Sequence, residues 1–200
     1  RDKADADGFS RDLWKQFAEM GFTGVLVPEA HGGLGLGHVE AGVVMEQIGH
    51  QLAASPLLAS GIVAVTALLQ AGNAAQQAAH LQSLSQGQAI ATLAVDEGIK
   101  HRPAQSALRA TGSGAGFVLD GAKALVLDGH VADLLIVAAR TAGKPGSTEG
   151  LSLFLVPTKT PGVQIERTVM VDAHNAARVQ FNQVQLASDA LLGPLHGGWP

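Results

Sequence analysis

The chain has 200 residues, a formal net charge of −4 and no cysteine. Such a charge gives no basic surface that would favour nucleic acid or an anionic membrane as a partner, and the lack of cysteine excludes disulfides and thiolate metal sites. Apolar residues make up 46% of the chain but aromatic residues only 4%, so the predicted core is aliphatic. The length suits one or two domains.

Helical signals occupy residues 1–88, which are predicted to form an all-helical bundle domain. Ser10 can cap a helix that ends near Met20, where Gly21 provides a stop signal. A short extended piece and a glycine-rich loop are predicted next, in the segment TGVLVPEAHGGLGLG. Further helices are predicted to begin at His38, at Pro56 and, after a capping-box pattern, at Asn73.

No Asp, Glu, Lys or Arg stands between Glu46 and Asp96. A transmembrane helix is one interpretation of this stretch. However, its most apolar part, Leu57 to Ala71, has about 15 residues, whereas a membrane span needs about 20. No Lys or Arg flanks it to set a topology. The sequence therefore favours a helix that is buried by other parts of the protein.

Short apolar runs separated by turn signals dominate residues 89–200. The runs AIATLAV, FVL, ALVL, LLIVAA and LSLFLVP have the length and composition of buried strands. Asp120-Gly121 and Asp128-Gly129 stand between runs, and Asp-Gly is a strong signal for a β-hairpin. The predicted fold class is α+β, with a helical domain at 1–88 followed by an antiparallel β-barrel or sandwich at 89–200.

Several catalytic and binding motifs are missing from the sequence. The glycine run from Gly32 to Gly37 does not fit the dinucleotide pattern G-x-G-x-x-G, because its sixth position is His38 or Glu40. The eight histidines form no H-E-x-x-H motif, so no metal site is predicted, and no G-x-S-x-G is present. The residues alone predict a small-molecule site at the junction of the two domains.

Blocks of sequence in a characteristic order resemble the acyl-CoA dehydrogenase family. MGFTGVLVPEAHGGLGLG resembles the N-terminal stretch of that family, and ATLAVDE resembles its first flavin-facing strand. LSLFLVPTKTPGV and VQFNQVQLASDALLG resemble the strands that close the middle domain. A Gly-x-Lys…Ala-Asp pattern is carried by Gly121, Lys123, Ala132 and Asp133. The segment ALVLDG is most similar to the branch that contains small subunits of pimeloyl-CoA dehydrogenase and bacterial steroid-degrading relatives.

This resemblance implies a fold and a reaction. The family adds a C-terminal four-helix domain, which is expected to lie outside residues 1–200. Its members desaturate an acyl-CoA thioester, in which a carboxylate removes the α-proton while the β-hydride passes to N5 of FAD. The base usually comes from the C-terminal domain, so no catalytic residue is assigned here. The implied setting is cytoplasmic fatty acid β-oxidation by a homo- or hetero-oligomer, dimeric or tetrameric, with electron-transfer flavoprotein or a similar acceptor as partner.

The resemblance also implies which residues contact FAD, mainly through their backbones: Leu93, Val95, Asp96, Leu125, Val126 and Leu127. Two departures stand out. Where the family has Thr-Glu-Pro-Gly-Ala-Gly-Ser-Asp, only Glu97 is retained, and where it has Trp-Ile-Thr or Trp-Ile-Ser, this chain has Leu-Val-Leu. An alternative therefore stays open, that of a flavin-poor structural partner subunit in a heteromeric acyl-CoA dehydrogenase.

Charged residues cluster where the family pattern is lost. Lys100, His101 and Arg102 form the tightest basic group in the chain. They are expected to form an exposed turn or to contact a CoA phosphate or a distal substrate carboxylate, with Arg102 as the candidate substrate-binding residue because a guanidinium binds such groups bidentately. Asp96 and Glu97 precede them, and carboxylates at the end of a strand are expected to be solvated.

Overall fold

The structure, a computed structural model, describes residues 5–171 and 174–199. The chain divides into two compact units: Arg1–Ala91 with Val171–His174, called here the helical unit, and Thr92–Met170 with Asn175–Pro200, called the β unit. The helical unit contains the α-helices α1 (Arg11–Glu19), α2 (His38–His50), α3 (Val65–Ala71) and α4 (Ala74–Ser85).

Local capping explains where two of these helices begin. The Ser10 hydroxyl accepts the N–H of Leu13 at 3.2 Å, and α1 starts at the next residue. Before α4, the side chain of Asn73 accepts the N–H of Gln76 at 3.0 Å, while the Gln76 side chain accepts the N–H of Asn73 at 3.1 Å. Both predicted helix starts are confirmed.

The segment between α1 and α2 differs from the extended piece that its valines suggest. Short 3₁₀ helices cover Phe22–Gly24 and Glu29–His31. The glycine run then folds back on the segment, and its amides donate to the carbonyls of Gly24, Val25 and Val27. A Cβ atom at Gly33 would lie 2.1 Å from the Val27 carbonyl oxygen, so this close backbone approach requires glycine there.

The uncharged stretch forms part of the core of the helical unit. Its most apolar part, Leu57 to Ala71, contains a π-helical segment, Leu58–Ala64, which continues directly into α3. Ala64, Val65 and Leu68 are completely buried. Within the described ranges, 5–171 and 174–199, no helix has both the length and the apolar character that a membrane span requires.

The β unit is built on one eight-stranded sheet whose pairs are mostly antiparallel. The main path of the sheet runs β6-β7-β3-β2-β4-β5-β8, and β1 pairs with β4 beside that path. The strands are β1 (Ala91–Ala94), β2 (Arg109–Ser113), β3 (Gly116–Leu127), β4 (Leu134–Arg140), β5 (Leu151–Pro157), β6 (Val163–Val169), β7 (Asn175–Ala187) and β8 (Leu191–Leu192). The prediction of a helical region followed by a mostly antiparallel sheet is confirmed.

The two Asp-Gly pairs do not form the predicted hairpins. Asp120 and Gly121 lie inside β3, where the register with β7 shifts between Leu119 and Gly121. The extra residue at this shift lies in β7, because Asn182 and Gln183 stand opposite Asp120. Gly121 has φ +137°, and a Cβ atom there would lie 3.0 Å from the α-carbon of Leu108, so glycine suits this position. Asp128-Gly129 does form a turn after β3, but β2 separates β3 from β4 in the sheet. At Asp120-Gly121, pairing with β7 therefore overrides the local turn signal.

Candidate functional site

The two stretches predicted to face a cofactor lie side by side in the β unit. The N–H of Ala124 donates to the carbonyl of Asp96 at 2.8 Å. The hydroxyl of Thr92 donates to the carbonyl of Leu127 at 2.7 Å. The segment from β1 to Asp96 is thus joined to the end of β3 at both ends. The structure brings together all six predicted residues, namely Leu93, Val95, Asp96, Leu125, Val126 and Leu127.

Burial alternates along both stretches. Leu125 and Leu127 are each 37% exposed, whereas Val126 between them is buried. Leu93 and Val95 are half-buried, and Ala94 between them has no exposed surface. Partly exposed aliphatic side chains therefore flank this end of the sheet while the intervening residues fill the core. We call this group of residues, 93–96 and 124–127, the β1–β3 edge.

A backbone irregularity marks the β1–β3 edge. Lys123 pairs with Val179 and Val126 pairs with Ala177, so two residues of β3 stand opposite one residue of β7. Within this bulge Leu125 has φ +52°, a left-handed conformation that is uncommon for a residue with a branched side chain. Such conformations persist only where the surrounding structure enforces them, and they are frequent at functional sites. The bulge alters the direction of the strand at this point.

The Asp96 carboxylate is held by its own loop. The backbone N–H of Arg102 donates to Asp96 Oδ1 at 2.9 Å, and His101 Nδ1 donates to Oδ2 at 2.7 Å. The His101 side chain is 75% exposed, whereas that of Asp96 is 22% exposed. Arg102 is exposed as well. The loop thus binds Asp96 through the His101 side chain and the Arg102 backbone, while the Arg102 side chain is exposed to solvent.

Glu97 is not solvated as expected. Its carboxylate accepts the N–H groups of Ala107 and Leu108, the Ser106 hydroxyl at 3.0 Å and the Lys123 ammonium at 2.8 Å. Burial raises the pKa of Glu97, but the hydrogen bond from Lys123, the Leu108 N–H, the charge of Lys123 and the Ala107 N–H together hold that pKa below its ordinary value. Glu97 is therefore an ionised structural group.

Lys123 lies at the centre of this cluster and is 1% exposed. Its ammonium group donates to the Val95 carbonyl at 2.8 Å, to Glu97 at 2.8 Å and to the Ser106 hydroxyl at 2.7 Å. These acceptors satisfy the three N–H donors of the ammonium group. Burial lowers the pKa of Lys123 more than the attraction of Glu97 raises it. In the sequence, Lys123 stood out only as a position of the family motif. Its burial was not predicted, because a lysine in a strand is normally exposed.

Arg140 is a second buried cation that the sequence did not indicate. It is 5% exposed and its guanidinium donates to four backbone carbonyls, those of Ala104, Ser106, Ser147 and Glu149. Burial lowers the pKa of Arg140, while the charge of Glu97 raises it. Arg140 therefore joins the loop before β2 to the loop before β5 without forming a direct ion pair of its own.

An open cavity of about 380 Å³ lies beside the second of these loops and is lined in part by Ser147, Glu149 and His196. Near it, Thr141 Oγ1 is within hydrogen-bond distance of His196 Nδ1, at 2.9 Å, and of Ser152 Oγ, at 2.7 Å. Among residues 5–171 and 174–199, no group of three or more His, Asp or Glu side chains has a metal-binding arrangement.

Comparison with known proteins identifies the class of this molecule. Residues 1–88 match the family model of the acyl-CoA dehydrogenase N-terminal domain, and residues 91–184 match that of the acyl-CoA dehydrogenase middle domain. The chain belongs to the acyl-CoA dehydrogenase family, as the resemblance predicted. Members of this family are FAD-binding flavoproteins, and flavin-dependent dehydrogenation is the family function.

Particular relatives agree with this assignment. The chain is 31% identical to acyl-CoA dehydrogenase FadE27 of Mycobacterium tuberculosis over 92% of its own length and 47% of that relative. It is 35% identical to mitochondrial isovaleryl-CoA dehydrogenase of Pongo abelii, over 92% of this chain and 45% of the relative. The chain therefore spans about half the length of the curated relatives it matches.

Solved structures show the same fold. A probable acyl-CoA dehydrogenase from Mycobacterium abscessus superimposes with a TM-score of 0.87 and 26% identity, over 98% of this chain and 54% of that one. The ChsE4–ChsE5 complex from Mycobacterium tuberculosis gives a TM-score of 0.83 and 29% identity, over 96% of this chain and 51% of the matched one.

Proposed function

We propose that this chain is the helical and β part, residues 1–88 and 89–200, of an enzyme that desaturates an acyl-CoA thioester with FAD as the oxidant. The observation that carries the proposal is the β1–β3 edge, where two separate stretches meet beside a strained bulge. When bound, FAD supplies the acceptor for the hydride that leaves the β-carbon of the substrate. Family membership supports both the cofactor and the class of substrate.

The residues present fit an aromatic ring system. Leu93, Val95, Leu125 and Leu127 offer partly exposed aliphatic surface against which a flat ring can pack. The family pattern has a tryptophan and a hydroxyl where Leu125 and Leu127 stand, so polar contacts to FAD would come from the backbone. A backbone N–H survives a change of side chain, and the bulge at Leu125 removes residues of β3 from regular pairing with β7.

Asp96 would lie beside the cofactor without presenting a free charge. Its carboxylate already accepts bonds from His101 and from the Arg102 N–H. These bonds would reduce its repulsion of a negatively charged reduced flavin, since hydrogen-bond donors compensate the charge of a carboxylate. The replacement of the family's loop sequence is thus compatible with FAD binding.

Arg102 is the residue proposed to contact the substrate. Its side chain is exposed, while its backbone is fixed by Asp96. A guanidinium in this position can bind a CoA phosphate or the distal carboxylate of a dicarboxylyl-CoA with two parallel hydrogen bonds. Lys100, an exposed cation on the same loop, provides a matched comparison.

The remaining parts of the reaction are assigned outside residues 1–200. The base that removes the α-proton is proposed to be a carboxylate from the part of the relatives that this chain does not span. The proposed assembly is an oligomer that passes electrons to electron-transfer flavoprotein or a similar acceptor.

The test is purification of the full-length protein and measurement of its visible absorbance. We expect a yellow protein with stoichiometric FAD, whose flavin is bleached in a stopped-flow instrument by an acyl-CoA. A colourless protein that acquires FAD only with a second subunit would contradict the proposal. Arg102→Gln is expected to raise KM for the preferred acyl-CoA, whereas Lys100→Gln, which removes one cation from the same loop, should change KM less. Equal increases of KM in the two variants would mean that the net positive charge of the loop supports binding and that Arg102 has no specific contact with the substrate.

A further inference from the structure

We propose that Lys123 is a positioning residue for FAD, because it holds the backbone of Val95 and Asp96 in place at the β1–β3 edge. The inference rests on the proposed function and adds a residue whose side chain is buried in the β unit. Lys123 would act through the backbone that it binds, not by contact with substrate or with the reacting atoms.

The first step of the argument is the pattern of hydrogen bonds. Consecutive residues of β3 bind consecutive carbonyls of the neighbouring stretch: the Lys123 ammonium binds the Val95 carbonyl, and the Ala124 N–H binds the Asp96 carbonyl. Strand β1 ends at Ala94, so both carbonyls lie beyond its ladder. These two bonds therefore join the backbone of Val95 and Asp96 to β3, in addition to the bonds that the Asp96 carboxylate makes within its own loop. The bond from Lys123 is charge-assisted and shielded from water, which makes it the stronger of the two.

The second step is the rigidity of the ammonium group itself. Glu97 and Ser106 occupy its other two donors, and the Glu97 carboxylate is in turn fixed by the N–H groups of Ala107 and Leu108. The cation cannot rotate away from Val95 without leaving a buried donor unsatisfied. A side chain held in this way fixes whatever it binds, as precise functional sites require.

The third step concerns the energetic balance of a buried ion pair. Apolar residues of similar volume are often as stable as a buried pair or more stable, because both charges lose their hydration. Stability alone is thus a weak reason for a lysine at this position. Leu125, two residues further along β3, holds a left-handed conformation that the surroundings must enforce. The Lys123 side chain, which is fixed by its hydrogen bonds immediately before the bulge, provides such a restraint.

The experiment uses the full-length holoprotein with Lys123→Met, Glu97→Gln and Ser106→Ala. The control is Phe154→Leu, which disturbs the packing of Phe154 on Phe117 in the core of the same unit without touching the cluster. The measurements are the FAD dissociation constant, the visible flavin spectrum, thermal stability and hydrogen exchange of the peptide that contains the Ala124 amide.

We expect Lys123→Met to weaken FAD binding by about tenfold or more, the change that corresponds to about 1.4 kcal/mol. The flavin bands should shift and the Ala124 amide should exchange faster. Ser106→Ala and Glu97→Gln should show the same changes to a smaller degree, so the proposal remains testable if Lys123→Met does not fold. Phe154→Leu should leave FAD binding within about twofold of the original protein, because Phe154 takes no part in the hydrogen bonds of the cluster.

Two results would overturn the inference in distinguishable ways. Suppose the unaltered protein binds FAD, but the cluster variants change affinity, spectrum and exchange no more than Phe154→Leu does at equal loss of stability. Lys123 would then be a structural residue only, while the proposed function would stand. An unaltered protein that binds no FAD, alone or with a partner subunit, would remove the proposed function and this inference with it.

Discussion

The helical unit and the β unit bury different kinds of polar groups. Among the described residues of the helical unit, the buried polar side chains are the uncharged Thr23, Ser60, Gln76 and Ser85. The Thr23 hydroxyl, for example, donates to the Ser85 carbonyl at 2.5 Å. The β unit also buries neutral hydroxyls, but it buries in addition the cations Lys123 and Arg140 and surrounds them with carbonyls, a hydroxyl and a carboxylate.

The two units thus fix their backbones with different kinds of hydrogen-bond donors. A neutral hydroxyl joins one pair of elements, and losing it leaves one unsatisfied group. A buried cation binds several carbonyls at once, so its removal releases several segments and leaves an uncompensated carboxylate. The buried cations occur in the β unit, which also carries the proposed FAD-binding edge. We therefore expect the β unit to be the more sensitive of the two to single polar substitutions.

The largest expected effect is that of Lys123→Met on stability. It should lower the free energy of unfolding by about 4 kcal/mol, because it breaks a buried ion pair. Thr23→Val, a substitution of similar shape in the helical unit, should cost about 2 kcal/mol. Urea denaturation of both variants measures the difference. A double variant, Lys123→Met with Glu97→Leu, should recover part of the loss, and equal costs for the two single variants would refute the comparison.

Backbone packing in the helical unit gives the next largest effect. Gly33→Ala should destabilise the protein by about 3 kcal/mol, since the new methyl group would overlap the Val27 carbonyl. Gly42→Ala is the control, because a Cβ atom there has open space and lies within α2. This control should gain about 0.5–1 kcal/mol from helix propensity. Thermal unfolding compares them, and similar melting temperatures for the two variants would contradict the prediction.

A smaller loss is expected when the cap of α4 is removed. Asn73→Ala should cost about 1 kcal/mol, because the Gln76 N–H would lose its acceptor and the reciprocal bond would weaken. Asn73→Ser keeps an acceptor at the cap and should restore most of the stability. Chemical denaturation gives both values. No loss in the alanine variant would mean that tertiary packing alone fixes the start of the helix.

The smallest expected effect concerns the pH dependence of the free energy of unfolding, to which His80 in the helical unit and Glu97 in the β unit contribute over different pH ranges. Burial lowers the pKa of His80 below 6.5, so the unfolded chain binds a proton there that the folded chain does not, and stability falls as the pH drops below 6.5. Glu97 has a folded pKa below 4.5. Its contribution is fully present above pH 4.5 and is lost as the pH falls through the folded pKa. On acidification, the His80 contribution should therefore disappear before the Glu97 contribution.

Fluorescence can separate these two contributions. With Trp199→Phe, Trp14 remains as the only tryptophan and reports on the helical unit, and with Trp14→Phe, Trp199 reports on the β unit. His80→Gln should flatten the first acid profile and Glu97→Gln the second. An effect of His80→Gln confined to pH values below 4.5 would show that the assignment is wrong.

Features that depend on local chemistry were predictable from the sequence. Ser10 and Asn73 accept amides within their own first helical turn, so their effect needs no knowledge of the fold. The buried position of the uncharged stretch followed from its composition. The six residues of the proposed site followed from a family pattern, and the structure places them together, but their contacts to FAD stay a prediction.

Features that depend on distant pairing were not predictable. Asp120-Gly121 has the chemistry of a hairpin turn, yet pairing of β3 with β7 keeps it within a strand. Val25 and Val27 favour extended structure, but the approach of the glycine run holds their segment in tight turns. Lys123 and Glu97 look like surface residues, because nothing nearby in the sequence reveals that Ser106 and the loop amides will enclose them.

The parallel contact between β2 and β4 divides the sheet into two halves. One half contains β2, β3, β6 and β7, and the other contains β1, β4, β5 and β8. One residue pair, Arg109 with Arg140, joins them in the ladder, and the buried cations span the same seam. Because the chain alternates between the halves, neither half is a continuous stretch of sequence. No single cleavage of the chain can therefore release one half as an intact fragment.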